Sequence, residues 1–204
     1  VTREMSRQRV PFMVNTIGLN WAGPLILHMG TEAEKQRYIK GILSAEDIWC
    51  QGFSEPDHGS DLGNAQCRAV RDGDEWVING HKIWPSNSGH TGNLYVVICT
   101  TKKGSSDPDD FALILVPADS KGVEVGNPYH KCGMSADVNT DIWFDHVRVP
   151  KRYRMHGPGD DLKYWRRAIS MGNIGSTAMC VGIMKNVYEI IKRWTTERLS
   201  LIHI

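Results

Sequence analysis

The hydrophobic period of this chain changes twice along its length, from helical to strand-like near residue 48 and back to helical after Pro150. Neither an all-helical nor an all-β domain accommodates both periods, so the pattern predicts a sheet-forming middle between helical flanks. In the first part, Thr31 stands three residues before Glu34, the spacing of a capping box. Tyr38, Ile39, Ile42 and Leu43 follow at helical spacing and are expected to form the buried stripe of that helix. The middle part reads as short strands at residues 76–78, 81–84, 94–100, 111–116, 123–125 and 142–144, with a polar loop over residues 102–110. Asn79-Gly80 falls between the first two, and such a pair favours a two-residue hairpin because both central residues need positive φ. Strands at this spacing without intervening helices predict an antiparallel barrel or sandwich rather than a parallel nucleotide-binding sheet, and GxGxxG is absent. The fold class is α+β, with boundaries at residues 1–47, 48–150 and 151–204.

In the last part Leu162, Trp165, Ile169, Cys180, Met184, Val187, Ile191 and Trp194 form one apolar stripe. Gly172, Gly175 and Gly182 interrupt it, each costing about 1 kcal/mol against alanine, so a break or close helix packing is expected there. With nothing following it to pack on, this helix is expected to expose its apolar face, as in a chain cut from something larger or one that oligomerises.

Charge narrows the partners. Lys and Arg number 24 against 23 Asp and Glu, with no basic block, so neither nucleic acid nor an anionic membrane is indicated. No apolar run reaches the roughly 18 residues of a membrane span. The opening Val1-Thr2-Arg3-Glu4 does not begin a secretory signal. The five cysteines, at 50, 67, 99, 132 and 180, contain no CxxC and read as buried thiols of a reducing compartment. Eight histidines without HxxxH or HExxH leave no metal-site signature.

Two segments carry side chains suited to a planar polar ligand. From Trp49 to Leu62 the chain reads WCQGFSEPDHGSDL, in which Gly52 and Gly59 permit close backbone approach, Ser54 and Ser60 supply hydroxyls and Pro56 fixes a turn. An ordinary strand-to-loop turn has the same composition. Further on, Trp84 precedes Pro85 and Ser86, and at strand period the indole and the hydroxyl face one side, as stacking plus a hydrogen bond to a ring requires. A core tryptophan beside a turn is the alternative.

Three motifs in order, FSEPDHGSDL from Phe53, RDGDEWVINGHKIWPS from Arg71 and FDHVRVP from Phe144, resemble the acyl-CoA dehydrogenase family. The resemblance runs from about Pro11 through Arg198. It implies a β-barrel middle domain between two helical domains, with FAD where they meet. Ser54 would hold the pyrimidine edge of the flavin, lined by Gln51, Gly52 and Phe53. Gly59 and Ser60 would lie near the FAD pyrophosphate, and Ser60 also near the pantetheine of an acyl-CoA. Trp84 and Pro85 would lie along the ring system, with Ser86 near N5, and Arg198 would reach the pyrophosphate of a neighbouring subunit in a homodimer or homotetramer. The implied reaction is α,β-desaturation of an acyl-CoA thioester, with electrons passed to an electron-transfer flavoprotein, in the cytoplasm or in a mitochondrial matrix.

The departures from the family pattern concern activity. The usual catalytic glutamate would lie beyond residue 204, its alternative position falls at about Gly172, and Asn173 stands where a substrate-facing arginine is usual. The segment is thus expected to carry no catalytic residue and to be inactive alone. After Arg198 the chain reads Leu199-Ser200-Leu201-Ile202-His203-Ile204 instead of continuing with Phe-Gly, an ending expected not to be family sequence. His58, Phe53 and Asn64 also replace smaller or aliphatic residues. A non-catalytic acyl-CoA- or partner-binding relative and an acyl-CoA oxidase are the competing readings, the first opposed by retention of Ser54, Trp84 and Ser86.

Overall fold

A computed structural model describes residues 4, 7–8, 14–61, 64–89, 93–105, 107–134 and 137–199. The start of the first helical stretch, Leu62 of the first motif, Ser106 of the polar loop and the 200–204 ending lie outside the described residues. The chain divides into two compact units, Val1–Arg166 and Arg167–Ile204.

In the first unit a π-helical turn, Gly18–Ala22, leads into helix α1 (Gly23–Met29), where Pro24 occupies the first turn and loses no intrahelical bond. Helix α2 (Glu32–Ser44) starts at the capping box anticipated above: Thr31 Oγ1 accepts from Glu34 N–H, and the Glu34 carboxylate accepts from Thr31 N–H at 2.7 Å. The helix ends at Ala45, which takes a left-handed φ of 60°. Its buried stripe is narrower than expected. Ile42 is buried and Tyr38 and Ile39 are half-buried, but Leu43 is 71% exposed, one step round the helix from the contact with α1.

Seven strands follow: β1 (Trp49–Gly52), β2 (Arg68–Asp72), β3 (Glu75–Ser86), β4 (Leu94–Thr100), β5 (Phe111–Pro117), β6 (Val123–Val125) and β7 (Asn139–Pro150). They form one mixed sheet in the order β1-β4-β2-β3-β7-β6, with β5 on the other edge of β4. Pairs β2–β3, β3–β7, β4–β5 and β6–β7 are antiparallel as expected, but β1 and β2 both run parallel to β4. Such pairing is non-local and leaves no turn signal to read. The inward faces of β1 to β7 share one core built on Ala69, Ile78, Val97, Ile114, Ile142, Phe144 and Val147.

The hairpin lies elsewhere than Asn79-Gly80. β3 runs unbroken through both residues, and the turn is Gly73-Asp74, where Gly73 has φ 59° and Asp72 pairs with Glu75. Asn79 instead sits opposite a bulge in β7, its Oδ1 accepting from the N–H of His146, which has φ 51°. Gly80 is required by crowding, because a Cβ there would lie 2.6 Å from Cys67 Sγ. Of the cysteines, 50, 67 and 99 are buried as expected, whereas Cys132 and Cys180 are exposed.

Helix α3, Asp160–Glu197, begins in the first unit, where Asp161 is buried and accepts from Arg154 Nε at 2.6 Å and from His156 N–H at 3.1 Å. His156 packs on Tyr164 with ring centroids 4.1 Å apart, and its Nε2 is buried without a partner. Burial therefore holds this imidazole below its ordinary pKa. The unfolded chain takes up the proton more readily, so the stability present above about pH 6.5 is lost as pH falls through the lowered folded value. Asp161, whose carboxyl burial pushes up despite Arg154, acts in the opposite sense at more acid pH. We expect the urea midpoint of the wild type to fall relative to that of His156→Gln between pH 7.5 and 5.5. A gap between the two that does not change with pH would contradict the buried neutral imidazole.

The second unit is described by the remainder of α3. The helix passes Gly172, Gly175 and Gly182 without a break, correcting the expected interruption: the cost of a glycine is small against the continuing backbone ladder of a 38-residue helix. A Cβ at Gly175 or Gly182 would meet nothing within 4 Å. Of the expected stripe, Cys180, Met184, Val187, Ile191 and Trp194 are exposed, whereas Leu162, Trp165 and Ile169 are half-buried. No helix among the described residues is long and apolar enough to cross a membrane, and these residues include no cluster of three or more His, Cys, Asp or Glu able to hold a metal.

Candidate functional site

Two hydrogen bonds, one from the backbone and one from a side chain, bring the two ligand-suited segments together. Beyond β1 the chain runs beside β3, where Ile83 N–H donates to the Ser54 carbonyl at 2.9 Å and Lys82 Nζ donates to the Phe53 carbonyl at 3.0 Å. Gln51, Gly52, Phe53 and Ser54 therefore lie along the stretch of β3 that ends in Trp84, Pro85 and Ser86.

The anchor is a charge pair that sequence reading passed over. Glu55 is 4% exposed and Lys82 0%, and Lys82 Nζ meets Glu55 Oε1 at 2.7 Å. The remaining acceptor capacity of Glu55 is used by the N–H groups of Gln66 at 2.6 Å and Cys67 at 2.8 Å. A buried ion pair holds only when its other polar sites are satisfied, as they are here. Glu55 and His58 also exchange backbone hydrogen bonds at 2.9 and 3.1 Å, closing a tight turn. A lysine inside a strand rich in apolar residues, with an acid in the neighbouring motif, was the available signal. Gly59 and Ser60 follow this turn and are exposed, and a Cβ at Gly59 would meet nothing within 4 Å, so space lies open there.

At the end of β3 the pairing with β7 slips between Ile83 and Ser86, and Trp84 takes a φ of 62°. A bulky side chain in the left-handed region is rare and accompanies functional sites. The bulge also removes the simple alternation that was to put the indole and the Ser86 hydroxyl on one side. Trp84 is 53% exposed, and its ring lies 4.4 Å from that of Tyr129, centroid to centroid. The Trp84 carbonyl accepts from Asn139 Nδ2 at 3.0 Å, and Ser86 Oγ lies 3.5 Å from Asp137 Oδ2. Lys131 ties the same segment, donating to Asn139 Oδ1 and the Asp137 carbonyl. Tyr129 OH donates to Asp141 Oδ2 at 2.6 Å, and Asp141 Oδ1 meets His81 Nε2 at 2.6 Å. Desolvation and that carboxylate push the Tyr129 phenol up to about 12, so it stays a donor at neutral pH. Tyr129, Asp137 and Asn139 were missed because their contacts to β3 span 45 to 55 positions and follow no period.

The polar chemistry present suits a flat heterocycle with its own donors. Gln51 Oε1 is buried and has no partner, an acceptor in search of an N–H, and the exposed indole of Trp84 offers an apolar face. Asn173 and Arg198 lie in the second compact unit, both exposed. The Asn173 carbonyl accepts from Thr177 Oγ1 at 2.8 Å, and the Arg198 guanidinium sits 4.5 Å over the Trp194 ring.

Residues 50–147 match the family model for the acyl-CoA dehydrogenase middle domain. Over 197 residues the chain is 32% identical to an acyl-CoA dehydrogenase of Mycobacterium tuberculosis, spanning 93% of this chain and 50% of that protein. It is 31% identical to the mitochondrial short-chain specific acyl-CoA dehydrogenase of Rattus norvegicus, spanning 87% of this chain and 42% of that one. A crystal structure of acyl-CoA dehydrogenase from Geobacillus kaustophilus is similar with TM-score 0.83 and 25% identity, over 91% of this chain and 49% of that one. The chain thus spans about half the length, or less, of the curated relatives it matches.

Proposed function

Because the chain belongs to the acyl-CoA dehydrogenase family, we propose that it carries the flavin-holding part of an enzyme that desaturates an acyl-CoA thioester between Cα and Cβ. The observation that supports this most is the convergence of residues 51–54 with a left-handed, exposed Trp84. Bound FAD would supply the hydride acceptor, a chemistry side chains lack.

The part of this chain is to bind and orient. Gln51 Oε1 and the Ser54 hydroxyl and backbone take the polar edge of the ring, with Gly52 and Phe53 lining it. Trp84 and Pro85 supply the flat apolar wall, and the Ser86 hydroxyl serves the reactive side. Gly59 and Ser60, in the open space past the Glu55–His58 turn, serve the pyrophosphate, and Ser60 also the pantetheine of the substrate. Asn173 stands where the substrate is contacted from α3, and Arg198 serves a neighbouring subunit's cofactor in a homodimer or homotetramer. The proton at Cα goes to a carboxylate outside the 204 residues, and an electron-transfer flavoprotein takes the electrons.

The test is flavin retention by a protein of the relatives' full length. It is expected to purify yellow and to bleach with an acyl-CoA, and Trp84→Ala is expected to weaken FAD binding about tenfold, the equivalent of about 1.4 kcal/mol of ring contact. A full-length protein that stays colourless with added FAD would overturn the proposal.

A further inference from the structure

Beside the Glu55–Lys82 anchor lie two thiols for which flavin binding has no use. Thr100 N–H donates to the Cys67 carbonyl at 2.8 Å and Arg68 pairs with Thr100, so Cys67 and Cys99 stand side by side on neighbouring chains. Residues so placed in a parallel pair have Cα atoms about 4.8 Å apart, inside the range a disulfide spans. Their sulfurs are 3.8 Å apart and both residues are buried. The Gly80 backbone walls the other side of Cys67, since even a Cβ there would come within 2.6 Å of its sulfur. From 3.8 Å, a shift of the side chains by about 2 Å brings the sulfurs to bonding distance.

The two thiols are also unequal. The hydrogen bond from Cys99 and the positive charge of Lys82 hold the Cys67 thiol below its ordinary range in spite of burial, whereas burial and the neighbouring Cys67 push the Cys99 thiol well up. One sulfur is thereby prepared as the nucleophile and the other as the resolving partner.

We propose that Cys67 and Cys99 are a redox pair that closes to a disulfide when hydrogen peroxide reaches the core of the sheet. The Cys67 thiolate attacks one peroxide oxygen, the O–O bond breaks, and the departing hydroxide takes up the proton the thiol gave up, so that sulfenic acid and one water form. Cys99 sulfur then attacks the Cys67 sulfur, the S–O bond breaks, the Cys99 proton leaves with the hydroxyl as a second water, and the disulfide forms. The two thiols lose two electrons and the peroxide gains them. A small-molecule dithiol reverses the closure by exchange. Because the Cys67 N–H bonds to Glu55 Oε1, which also receives Lys82, closure pulls on the anchor that seats Phe53 and Ser54.

The experiment treats the folded chain, in a Cys132→Ser/Cys180→Ser background, with hydrogen peroxide, then alkylates under denaturing conditions and maps peptides without reduction. The expected result is a linked peptide joining residues 67 and 99, a loss of two hydrogens from the intact mass, and recovery of both thiols with dithiothreitol. Cys99→Ser is expected to leave Cys67 as a trappable sulfenic acid. Should that variant not fold, the map of the parent decides by itself. Recovery of Cys67 and Cys99 as free thiols after peroxide has oxidised methionines in the same sample, or linkage through Cys50 instead, would overturn the proposal.

Discussion

Lys82→Met is expected to cost about 3–5 kcal/mol of unfolding free energy in urea titration, the range for stripping one partner from a buried ion pair. The methionine fills a similar volume, so the loss comes from charge. Glu55 would remain at 4% exposure with its Oε1 short of a cation, and the Phe53 carbonyl would lose its donor. The second variant separates charge from packing: Glu55→Gln added to Lys82→Met removes the stranded carboxylate while keeping one amide oxygen for the Gln66 or Cys67 N–H, and about 1–2 kcal/mol is expected to return. A Lys82→Met protein within about 1 kcal/mol of wild type would show that the pair is not the anchor described. The same variant is expected to loosen residues 53–58 in hydrogen exchange before it affects β4 or β5, because the loss is confined to the turn this pair seats.

The second large effect is expected at Asn15. This buried side chain bonds three backbone groups: its Nδ2 donates to the carbonyls of Ile42 and Asp47, each at 2.9 Å, and its Oδ1 accepts from Trp49 N–H at 3.0 Å, the Ile42 carbonyl also accepting from Ala45 N–H at 3.4 Å. It thus ties the end of α2 and the loop after it to the first residue of β1. Close packing follows, since a Cβ on Gly18 would fall 2.4 Å from Asn15 Oδ1. Asn15→Leu strips the Asp47 carbonyl and the Trp49 N–H of this partner and leaves the Ile42 carbonyl with the Ala45 N–H alone, at about 1–3 kcal/mol for each orphaned group before relaxation, so a total loss of about 2 kcal/mol or more is expected. Asn15→Asp keeps the acceptor for Trp49 but turns a carboxylate oxygen on two carbonyls, and is expected to be no better. A midpoint unchanged in Asn15→Leu would mean that water satisfies these groups.

Local chemistry was readable wherever one short stretch settled the outcome. β4 at Leu94–Thr100 and β6 at Val123–Val125 match the apolar runs residue for residue, and the Thr31–Glu34 cap formed as its spacing required. The apolar stripe of α3 follows from its period alone. The three motifs that carry the family resemblance were legible for the same reason, being contiguous. The two segments suited to a ring were likewise visible as residues, though not as a site.

The errors share a cause. Asn79-Gly80 has the composition of a hairpin turn, but β2 holds Glu75–Asn79 on one side while β7 pairs along β3 from Glu75 to Ser86 on the other, so a good local turn lost to long-range pairing and Gly73-Asp74 turned instead. Leu43 fits a helical stripe, yet the packing partners of α2 end at Ile42. Burial of a cysteine depends on what covers it, which composition does not state, and so Cys132 and Cys180 are exposed.

What the amino-acid order decides unaided is the helix–strand–helix succession, the cap at Thr31, several of the strands and the presence of a family's motifs, because periodicity, caps and contiguous motifs act over a few residues. Only the tertiary structure decides that β1 and β2 run parallel to β4, that Lys82 turns inward to Glu55, that Asn139 and Tyr129 frame a left-handed Trp84, and that Cys67 touches Cys99. Each of these joins residues 27 to 55 positions apart, or a strand to a distant strand, and is selected by burial and hydrogen-bond satisfaction in the assembled core rather than by any preference of the local chain.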